Sequence, residues 1–582
     1  MRKKRRKLLR NQKSTQQINP TEQSSKPRST PQADGGKPCY AGQGFLVIVI
    51  LLFIAFLMFI SIHMTIIFGY SPTLLKLYSP FGINIGKGVR GAIIEGGKYN
   101  LPLAYSIPTY TLWVNPNEPS TEGQYLMIAY RLGLISPSAP REKKENVIRE
   151  VANIIKGKIP PDMPIKVKHT SYKYWWVDDT EERIYPHHTA SYTIAAPIIG
   201  FTTPNGTGID GLELTLNDIL RTKYIPYKSF LLRNPDIAVK TTIDLGIQYK
   251  AETLLDKIDE EIKPMSSWIV VMTPTGAIKA MAIRPTTRLD KNRKPVYNPV
   301  ISGRFEMGSV LKPLTLMWAM EKIGLKLTDT FDDPGSFQVG KYTIKSVIPA
   351  GKNATVLKGL KLSANVVFAQ IALKLGYENY ISEAKLFGLD KPTGIELPGE
   401  VSGILPPKGD VYLAVSGFGY GIYITPIELL RAYTPIATGG LLYNPTLLEG
   451  VYIGDKYIPA PHKPPKRVIS EKVADTVRKA LTEVVQDSIV RARVFVSGKE
   501  IKVAGKTGTA EIAMHGEYSS KQRMFTFIGM FPADNPEYII MTSVYRPEHL
   551  PKGVRFASQV AAPIFREIAT FIATREGMLP NK

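Results

Sequence analysis

The sequence has 582 residues and a formal charge of +24, from 74 Lys and Arg against 50 Asp and Glu. This length exceeds one typical domain, and the single cysteine, Cys39, excludes a framework of disulfides. The basic residues show no interleaved aromatic platform, so we expect no nucleic-acid partner and favour contact with an anionic lipid or polymer.

Residues 1–43 are basic and poor in large apolar side chains. They contain eleven Lys or Arg and two acidic residues, which is a charge of +9. Such a segment cannot bury enough surface to fold, so it is predicted to be a disordered tail.

Residues 44–69 are strongly apolar. Phe45 to Phe68 carries no formal charge, and as a helix it would span about 36 Å, enough to cross a hydrocarbon core of about 30 Å. A cleaved signal peptide is the alternative, but no small-x-small cleavage pattern follows the apolar run. We therefore predict a transmembrane signal anchor. The basic tail before it places the N-terminus in the cytoplasm and residues 70–582 outside.

Residues 70–235 contain short apolar runs broken by Pro and Gly, which predicts a mixed domain, here termed the pedestal. Its clearest helix runs from Lys143 to Lys156. Adjacent His187 and His188 would point to opposite faces of a strand, and no third ligand stands at metal-binding spacing, so no metal site is expected there. The predicted strands are Ala92–Ile94, Tyr110–Val114 and Ile165–Val167.

Residues 236–575 are predicted to form a second domain of the α+β class. A helix through Ile258 and a β-hairpin precede a long helical middle, and strands return only near the C-terminal end. This order predicts an antiparallel sheet built from both ends of the domain and flanked by helices. The hairpin strands are Ile269–Met272 and Ile278–Ile283; the later elements are strands Ile501–Lys506, Met524–Met530 and Tyr538–Tyr545, helix Phe556–Thr574, and a short tail, 576–582.

Ser309 and Lys312 form the first chemical motif, Ser-x-x-Lys, at a predicted helix start. Residues three apart lie one turn from each other on the same face, so the amine can take the proton of the hydroxyl. The pattern is common, and Ser382 with Lys385 also matches it. The first pair stands apart because two further motifs follow it.

The second motif is Ser363-Ala364-Asn365, and the third is Lys506-Thr507-Gly508-Thr509. Taken alone, the second motif would fit an ordinary helix N-cap. The third resembles the end of a nucleotide-binding P-loop, but the glycine that this loop requires is replaced by Glu500.

The three motifs in this order resemble the signature of penicillin-binding proteins. The resemblance extends from about residue 90 to 570. Within the family, the chain is most similar to the monofunctional, class B members of high mass, and among these to the cell-division peptidoglycan D,D-transpeptidase. Further similar stretches are Arg90-Gly91-Ala92-Ile93, Tyr185-Pro186, Gly208–Glu213, Thr241–Gln248, Gly417–Gly421 and Ala561–Phe565. The Asp-Arg-x-Gly that usually follows the first stretch is here replaced by Glu95-Gly96-Gly97.

The resemblance implies a role for each motif residue. Ser309 attacks the penultimate D-alanine of a D-Ala-D-Ala stem peptide, with Lys312 as a neutral base, and Ser363 passes the proton to the leaving amine. Asn365 holds the donor peptide, and Lys506 supplies a positive charge. Thr507 and Thr509 bind the terminal carboxylate, and Gly508 lets the substrate backbone approach. No cofactor and no metal are implied.

The resemblance also implies a location and partners. It places the chain in the bacterial inner membrane, with its catalytic domain in the periplasm and β-lactams as inhibitors. A membrane-embedded polymerase of the SEDS type and other division proteins are the implied partners. Three alternatives stay open: an elongation-type transpeptidase, a non-catalytic division scaffold, and a sensor that β-lactams acylate.

Overall fold

The computed structural model describes residues 90–117, 121–159, 165–172, 175–189, 192–221, 237–286, 297–486, 490, 492–514 and 517–578. The predicted tail 1–43, the predicted anchor 44–69 and the predicted domain boundary at 236 lie outside these residues, as does the end of the C-terminal tail. None of the described helices combines the length and the apolar character that crossing a membrane requires.

The strands of the described residues are numbered in chain order. They are β1 (Ala92–Ile94), β2 (Pro102–Val114), β3 (Ile165–His169), β4 (Trp176–Ile184), β5 (Ile237–Thr241), β6 (Pro264–Met272), β7 (Ile278–Arg284), β8 (Thr330–Asp333), β9 (Ser336–Val339), β10 (Tyr342–Lys345), β11 (Gly351–Thr355), β12 (Leu441–Leu442), β13 (Leu448–Ile453), β14 (Lys456–Pro459), β15 (Lys466–Arg467), β16 (Val494–Val496), β17 (Lys499–Ile501), β18 (Ala504–Met514), β19 (Glu517–Phe531) and β20 (Tyr538–Pro547).

The helices are numbered in the same way. They are α1 (Glu122–Arg131), α2 (Arg141–Ile155), α3 (Ala196–Ile199), α4 (Gly211–Thr215), α5 (Asn217–Leu220), α6 (Leu245–Ile262), α7 (Pro299–Ser302), α8 (Lys312–Ile323), α9 (Val356–Lys361), α10 (Asn365–Leu375), α11 (Tyr377–Leu386), α12 (Asp410–Ser416), α13 (Pro426–Ala437), α14 (Glu471–Gln486) and α15 (Ala557–Arg575).

A five-stranded antiparallel sheet organises the C-terminal part of the chain, in the order β18-β19-β20-β6-β7. Strands β6 and β7 come from its beginning and the other three from its end, and α6 and α15 pack against them. The α+β class and the antiparallel sheet built from both ends are therefore confirmed. Among the described strands, β19 alone pairs with β18, so β18 lies at the edge of this sheet, and an edge strand can pair with another chain.

A seven-stranded sheet joins the pedestal to the C-terminal part. Its order is β14-β13-β5-β1-β2-β3, and β4 also pairs with β2. Strand β1 pairs in parallel with β5, so Ile93 lies beside Val239 across the predicted boundary at 236. The pedestal and the C-terminal part thus share one sheet, and the position of the boundary stays a prediction.

The pedestal stretches quoted from the sequence meet at one buried carboxylate, that of Glu213. Arg90 Nε donates to Glu213 Oε2 at 2.6 Å, and Arg183 Nε donates to Oε1 at 2.7 Å. Tyr185 Oη lies 3.4 Å from the same Oε1 atom. The side chains of Arg90 and Glu213 are fully buried, so each charge depends on its partners for compensation.

The helix predicted through Ile258 is α6. It begins at Leu245, after Thr241 has ended β5, because the Asp244 side chain accepts from Ile247 N–H and caps it. One local prediction needs correction. Lys506 does not end a strand. It is the third residue of β18, which continues through Met514 in register with β19.

Candidate active site

Ser309 lies in a 3-10 turn, Gly308–Leu311, that leads into α8. Gly308 has φ +59°, and a Cβ atom there would lie 3.2 Å from the Cβ of Ala510, so both backbone and space favour glycine. Lys312 is the first residue of α8, and its Nζ lies 3.0 Å from Ser309 Oγ. The structure thus brings the predicted nucleophile and base into hydrogen-bond contact, although the nucleophile precedes the α-helix.

The glycine-rich stretch Gly417–Gly421 packs against this turn. Gly308 N–H donates to Gly419 O at 3.1 Å, and Thr315 Oγ1 donates to Gly417 O at 3.0 Å. Gly419 has φ +90°, and a Cβ atom there would overlap Gly308 O. These glycines allow two backbones to approach closely, which accounts for the Gly-x-Gly pattern without nucleotide binding.

Ser363 and Asn365 converge on the amine of Lys312. Its Nζ lies 3.1 Å from Ser363 Oγ and 2.9 Å from Asn365 Oδ1, and it donates to Ser363 O at 2.5 Å. Ser363 adopts a left-handed backbone with φ +55°, which is uncommon outside glycine. The N-cap of α10 is Ala364, without a side-chain hydrogen bond, so the helix-cap alternative for this motif is wrong.

Asn365 also contacts the strand beside it. Its Nδ2 donates to Lys345 O at 3.1 Å, which orients the amide with Oδ1 toward Lys312. An amide NH2 group has two N–H bonds, so the second one can still bind a substrate carbonyl.

Lys506 reaches the same hydroxyl from the edge strand. Its Nζ lies 3.0 Å from Ser363 Oγ and 3.1 Å from Thr507 O. The structure therefore assembles the three motifs around Ser363.

Burial controls the protonation of the two lysines. Lys312 is fully buried and Lys506 is 1% exposed. Burial lowers the pKa of Lys312 well below its ordinary value, the charge of Lys506 lowers it further, and Asp333 acts in the opposite direction. Burial also lowers the pKa of Lys506 to about 7. Both shifts favour the neutral amine, more strongly at Lys312 than at Lys506.

The free edge of β18 runs beside the nucleophile turn. A Cβ atom on Gly508 would lie 2.9 Å from Met307 O, so only glycine allows this approach. Glu511 N–H donates outward, away from β19, to Tyr420 Oη at 2.9 Å. Because strand backbone alternates with a period of two, the N–H of Thr509 also points outward.

The two threonines of the third motif lie half-buried on this strand. Thr509 Oγ1 accepts the backbone N–H of Ala557, the first residue of α15, at 2.9 Å. The hydroxyl of Thr509 is thus hydrogen-bonded to α15, a helix that the sequence analysis did not connect with the site.

Other supporting residues were not identified from the sequence. Tyr433 Oη donates to Val310 O at 2.5 Å and holds the nucleophile turn from α13. The Glu306 carboxylate accepts from Gly421 N–H at 2.6 Å and from Tyr518 Oη at 2.9 Å. Glu306 could have been found from the sequence because it lies three residues before Ser309. Tyr433 belongs to no motif, so nothing in the sequence connected it with the site.

The remaining sequence candidates lie elsewhere. Ser382 is exposed on α11, and its Oγ donates to Asn379 O at 2.9 Å. Among the described residues, no group of three or more His, Cys, Asp or Glu could hold a metal ion, and this includes the surroundings of His187 and His188.

The fold and the three assembled motifs are those of a serine acyltransferase. The family model for the penicillin binding protein transpeptidase domain matches residues 267–570. The chain therefore belongs to the penicillin-binding protein transpeptidase family, as a class B member of the serine transpeptidase type.

Individual relatives cover most of the chain. Stage V sporulation protein D of Bacillus subtilis is 31% identical over 73% of this chain and 69% of its own length. Peptidoglycan D,D-transpeptidase FtsI of Escherichia coli K12 is 26% identical over 82% of each chain. The crystal structure of penicillin-binding protein 3 from Mycobacterium tuberculosis with aztreonam matches with a TM-score of 0.64 at 23% identity, over 85% of this chain and 98% of its own, which shows the shared fold.

Proposed function

We propose that this chain is a peptidoglycan D,D-transpeptidase that cross-links stem peptides during septal cell-wall synthesis. The main observation behind this proposal is the buried Lys312 amine, which lies 3.0 Å from Ser309 Oγ and whose pKa is lowered by burial and by the charge of Lys506. The relatives named peptidoglycan D,D-transpeptidase FtsI support the substrate class and the septal role.

Acylation begins when Lys312 Nζ takes the proton of Ser309 Oγ. The oxygen attacks the carbonyl carbon of the penultimate D-alanine, and its negative charge moves to the carbonyl oxygen, which the N–H groups of Ser309 and Thr509 stabilise. When the C–N bond breaks, the leaving nitrogen receives the proton from Lys312 through the Ser363 hydroxyl. This hydroxyl lies 3.1 Å from Lys312 Nζ, within hydrogen-bond distance for the first step of the transfer. The products are an ester on Ser309 and free D-alanine.

Transfer reverses these steps with a new nucleophile. The amine of a second stem peptide attacks the ester carbonyl and gives its proton to Lys312, and the returning Ser309 oxygen takes that proton as the C–O bond breaks. A new amide joins the two peptides, and the enzyme is regenerated.

Substrate recognition uses the free edge of β18. The donor peptide adds as a strand to this edge, where Gly508 leaves room for its backbone. The Thr507 and Thr509 hydroxyls bind its terminal carboxylate, and this anion raises the proton occupancy of Lys506 above that of the free enzyme. Asn365 binds the donor amide.

We further propose that residues 44–69 anchor the chain in the bacterial inner membrane, with the N-terminus in the cytoplasm and the catalytic domain in the periplasm. The uncharged run Phe45–Phe68 and the basic tail before it support this orientation. A SEDS-type polymerase and other division proteins are the proposed partners. The anchor supplies a surface within the membrane where such a polymerase can dock.

Acylation by fluorescent penicillin tests the chemistry. The outer part of the chain should acquire a covalent label on Ser309, identified by mass spectrometry of the labelled peptide. Ser309→Ala should abolish labelling, whereas Ser382→Ala, the matched Ser-x-x-Lys control, should label as the wild type does. An adduct on another serine would overturn the assignment.

The same preparation separates the alternatives. Absence of label on the wild type would favour a non-catalytic scaffold. Label without cross-linking, even with polymerase and lipid-linked substrate present, would favour a β-lactam sensor. In cells, a fluorescent fusion should gather at the division septum; uniform distribution along the side wall would favour an elongation role.

A role in spore formation is the second candidate, because the relative at 31% identity is a sporulation protein. Depletion in growing cells distinguishes the two. Filamentation without septa supports division, whereas normal growth with defective spores supports the sporulation role.

A further inference from the structure

The N-terminus of α15 touches the strand that carries the third motif. Ala557 is the first residue of this 19-residue helix and is buried, and its N–H donates to Thr509 Oγ1 at 2.9 Å. The first N–H groups of a helix have no partner within the helix, so this one is available to another residue. The Ala557 N–H donates to the Thr509 side chain, 48 positions earlier in the sequence.

This contact restricts the hydroxyl proton of Thr509. A hydroxyl has one O–H donor and two acceptor lone pairs, and a backbone N–H can only donate. With one lone pair directed at Ala557, the O–H must point elsewhere. Among the described residues, the Ala557 contact is the one hydrogen bond of this hydroxyl, so its donor has no protein acceptor there.

Thr509 lies between a buried apolar neighbour and the edge of the sheet. Its neighbour across the sheet is Phe525, a fully buried apolar residue that cannot accept the proton. The opposite side is the edge of β18, beside the nucleophile turn. A Cβ atom added to Gly308 in that turn would lie 3.5 Å from Thr509 O. Thr509 thus lies on the strand that borders the cleft in which the proposed function places the terminal carboxylate of the substrate, and that carboxylate can accept the free donor.

We propose that Ala557 is a positioning residue whose backbone N–H holds the Thr509 hydroxyl with its proton directed at the substrate carboxylate. This inference rests on the proposed function. Accepting a hydrogen bond polarises a hydroxyl and makes it a better donor, and a donor fixed in advance loses less orientational freedom on binding. The contribution appears in binding of the carboxylate and not in the reaction at Ser309.

Ala557→Pro removes this N–H with little change in the helix. Proline is favoured at the first helical position, and Phe556 before it is extended, with φ −127° and ψ 151°, as a residue preceding proline requires. We expect the second-order acylation constant for penicillin G to fall about tenfold, which corresponds to one hydrogen bond of ordinary strength. The loss should lie in the dissociation constant of the first complex, with the limiting acylation rate unchanged.

Penicillin G methyl ester is the matched probe, because it lacks the anionic carboxylate. Its acylation constant should be the same in wild type and Ala557→Pro. Thr509→Val should reproduce the loss, Thr509→Ser should largely rescue it, and combining Thr509→Val with Ala557→Pro should give no further loss. If proline does not fit the buried position, replacement of the amide at 557 by an ester through incorporation of lactic acid removes the same N–H.

Equal losses for the free acid and the ester, or additive losses in the double variant, would overturn this inference. Neither result would affect the proposed function, which fails only if wild type is not acylated or if Ser309→Ala still is.

Discussion

Lys312 and Lys506 are bridged by one hydroxyl, because Ser363 Oγ lies 3.1 Å from the first side-chain nitrogen and 3.0 Å from the second. Both lysines are buried, so protonation of one disfavours protonation of the other. The more strongly lowered pKa belongs to Lys312, the neighbour of the nucleophile. The arrangement therefore favours the neutral amine most at Lys312, the group to which the proposed function assigns the proton transfer.

Arginine substitutions should separate these two roles. Lys506→Arg keeps a positive charge and should retain partial acylation, whereas Lys312→Arg cannot deprotonate and should acylate slower by several orders of magnitude. Stopped-flow measurement with a penicillin gives both rates, and circular dichroism controls for folding. Similar rates in the two variants would mean that Lys312 is not the base.

The second-order acylation constant should show a bell-shaped dependence on pH. The rising limb reports loss of the proton from Lys312, whose pKa is lowered, and the falling limb reports loss of the charge on Lys506 near pH 7. In Lys506→Arg the falling limb should move to higher pH, because arginine stays protonated, while the rising limb remains. A falling limb unchanged in this variant would assign it to another group.

Gly419→Ala should damage the nucleophile turn. The new Cβ would overlap Gly308 O at a residue with φ +90°, and a displacement of about 1 Å near the reacting atoms can cost about a hundredfold in rate. Gly394→Ala is the matched control, since Gly394 has φ +83° with no atom within 4 Å of the added Cβ. It should lose about 1 kcal/mol of stability and keep its acylation rate. Equal rate losses in both variants would show that backbone strain alone is responsible.

Glu213→Ala should destabilise the pedestal. It leaves the buried guanidinium of Arg90 and that of Arg183 without their carboxylate, and breaking a buried ion pair costs about 3–5 kcal/mol. Urea denaturation measures the loss, and penicillin acylation of the folded fraction should be unchanged. Glu378→Ala provides the control, because its pair with Lys408 is 81% and 76% exposed and should not alter the midpoint. A wild-type midpoint for Glu213→Ala would contradict a structural role.

Replacement of Phe45–Phe68 by an unrelated apolar helix tests the proposed polymerase contact. Membrane insertion and penicillin binding should persist, but cross-linking with a reconstituted polymerase should fall, because helix association in lipid depends on specific packing. The replacement should match the original in length and hydropathy. Unchanged cross-linking would leave the segment as an anchor alone.

Local patterns in the sequence were sufficient for several elements. The β6–β7 hairpin follows from two apolar runs around Pro274-Thr275-Gly276, and α15 follows from its amphipathic spacing. The contact between Ser309 and Lys312 follows from their separation of three residues at a helix start. These features depend on neighbours within a few residues, so the sequence displays them directly.

Other features involve residues that are distant in the sequence. The pairing of β1 with β5 brings Ile93 beside Val239, and no local pattern distinguishes this sheet from two separate ones. The continuation of β18 past Lys506 was missed because the glycine of its motif favours a strand end, whereas pairing with β19 extends the strand to Met514.

The sequence by itself determined the family and the set of motif residues, because their types and order carry the chemistry. Only the tertiary structure decided how these residues act on one another. Ser363 and Lys506 are 143 positions apart, yet their contact places two amines on one hydroxyl. The low pKa of each lysine comes from water excluded by packed segments far along the chain, and desolvation of this kind leaves no mark in the local sequence.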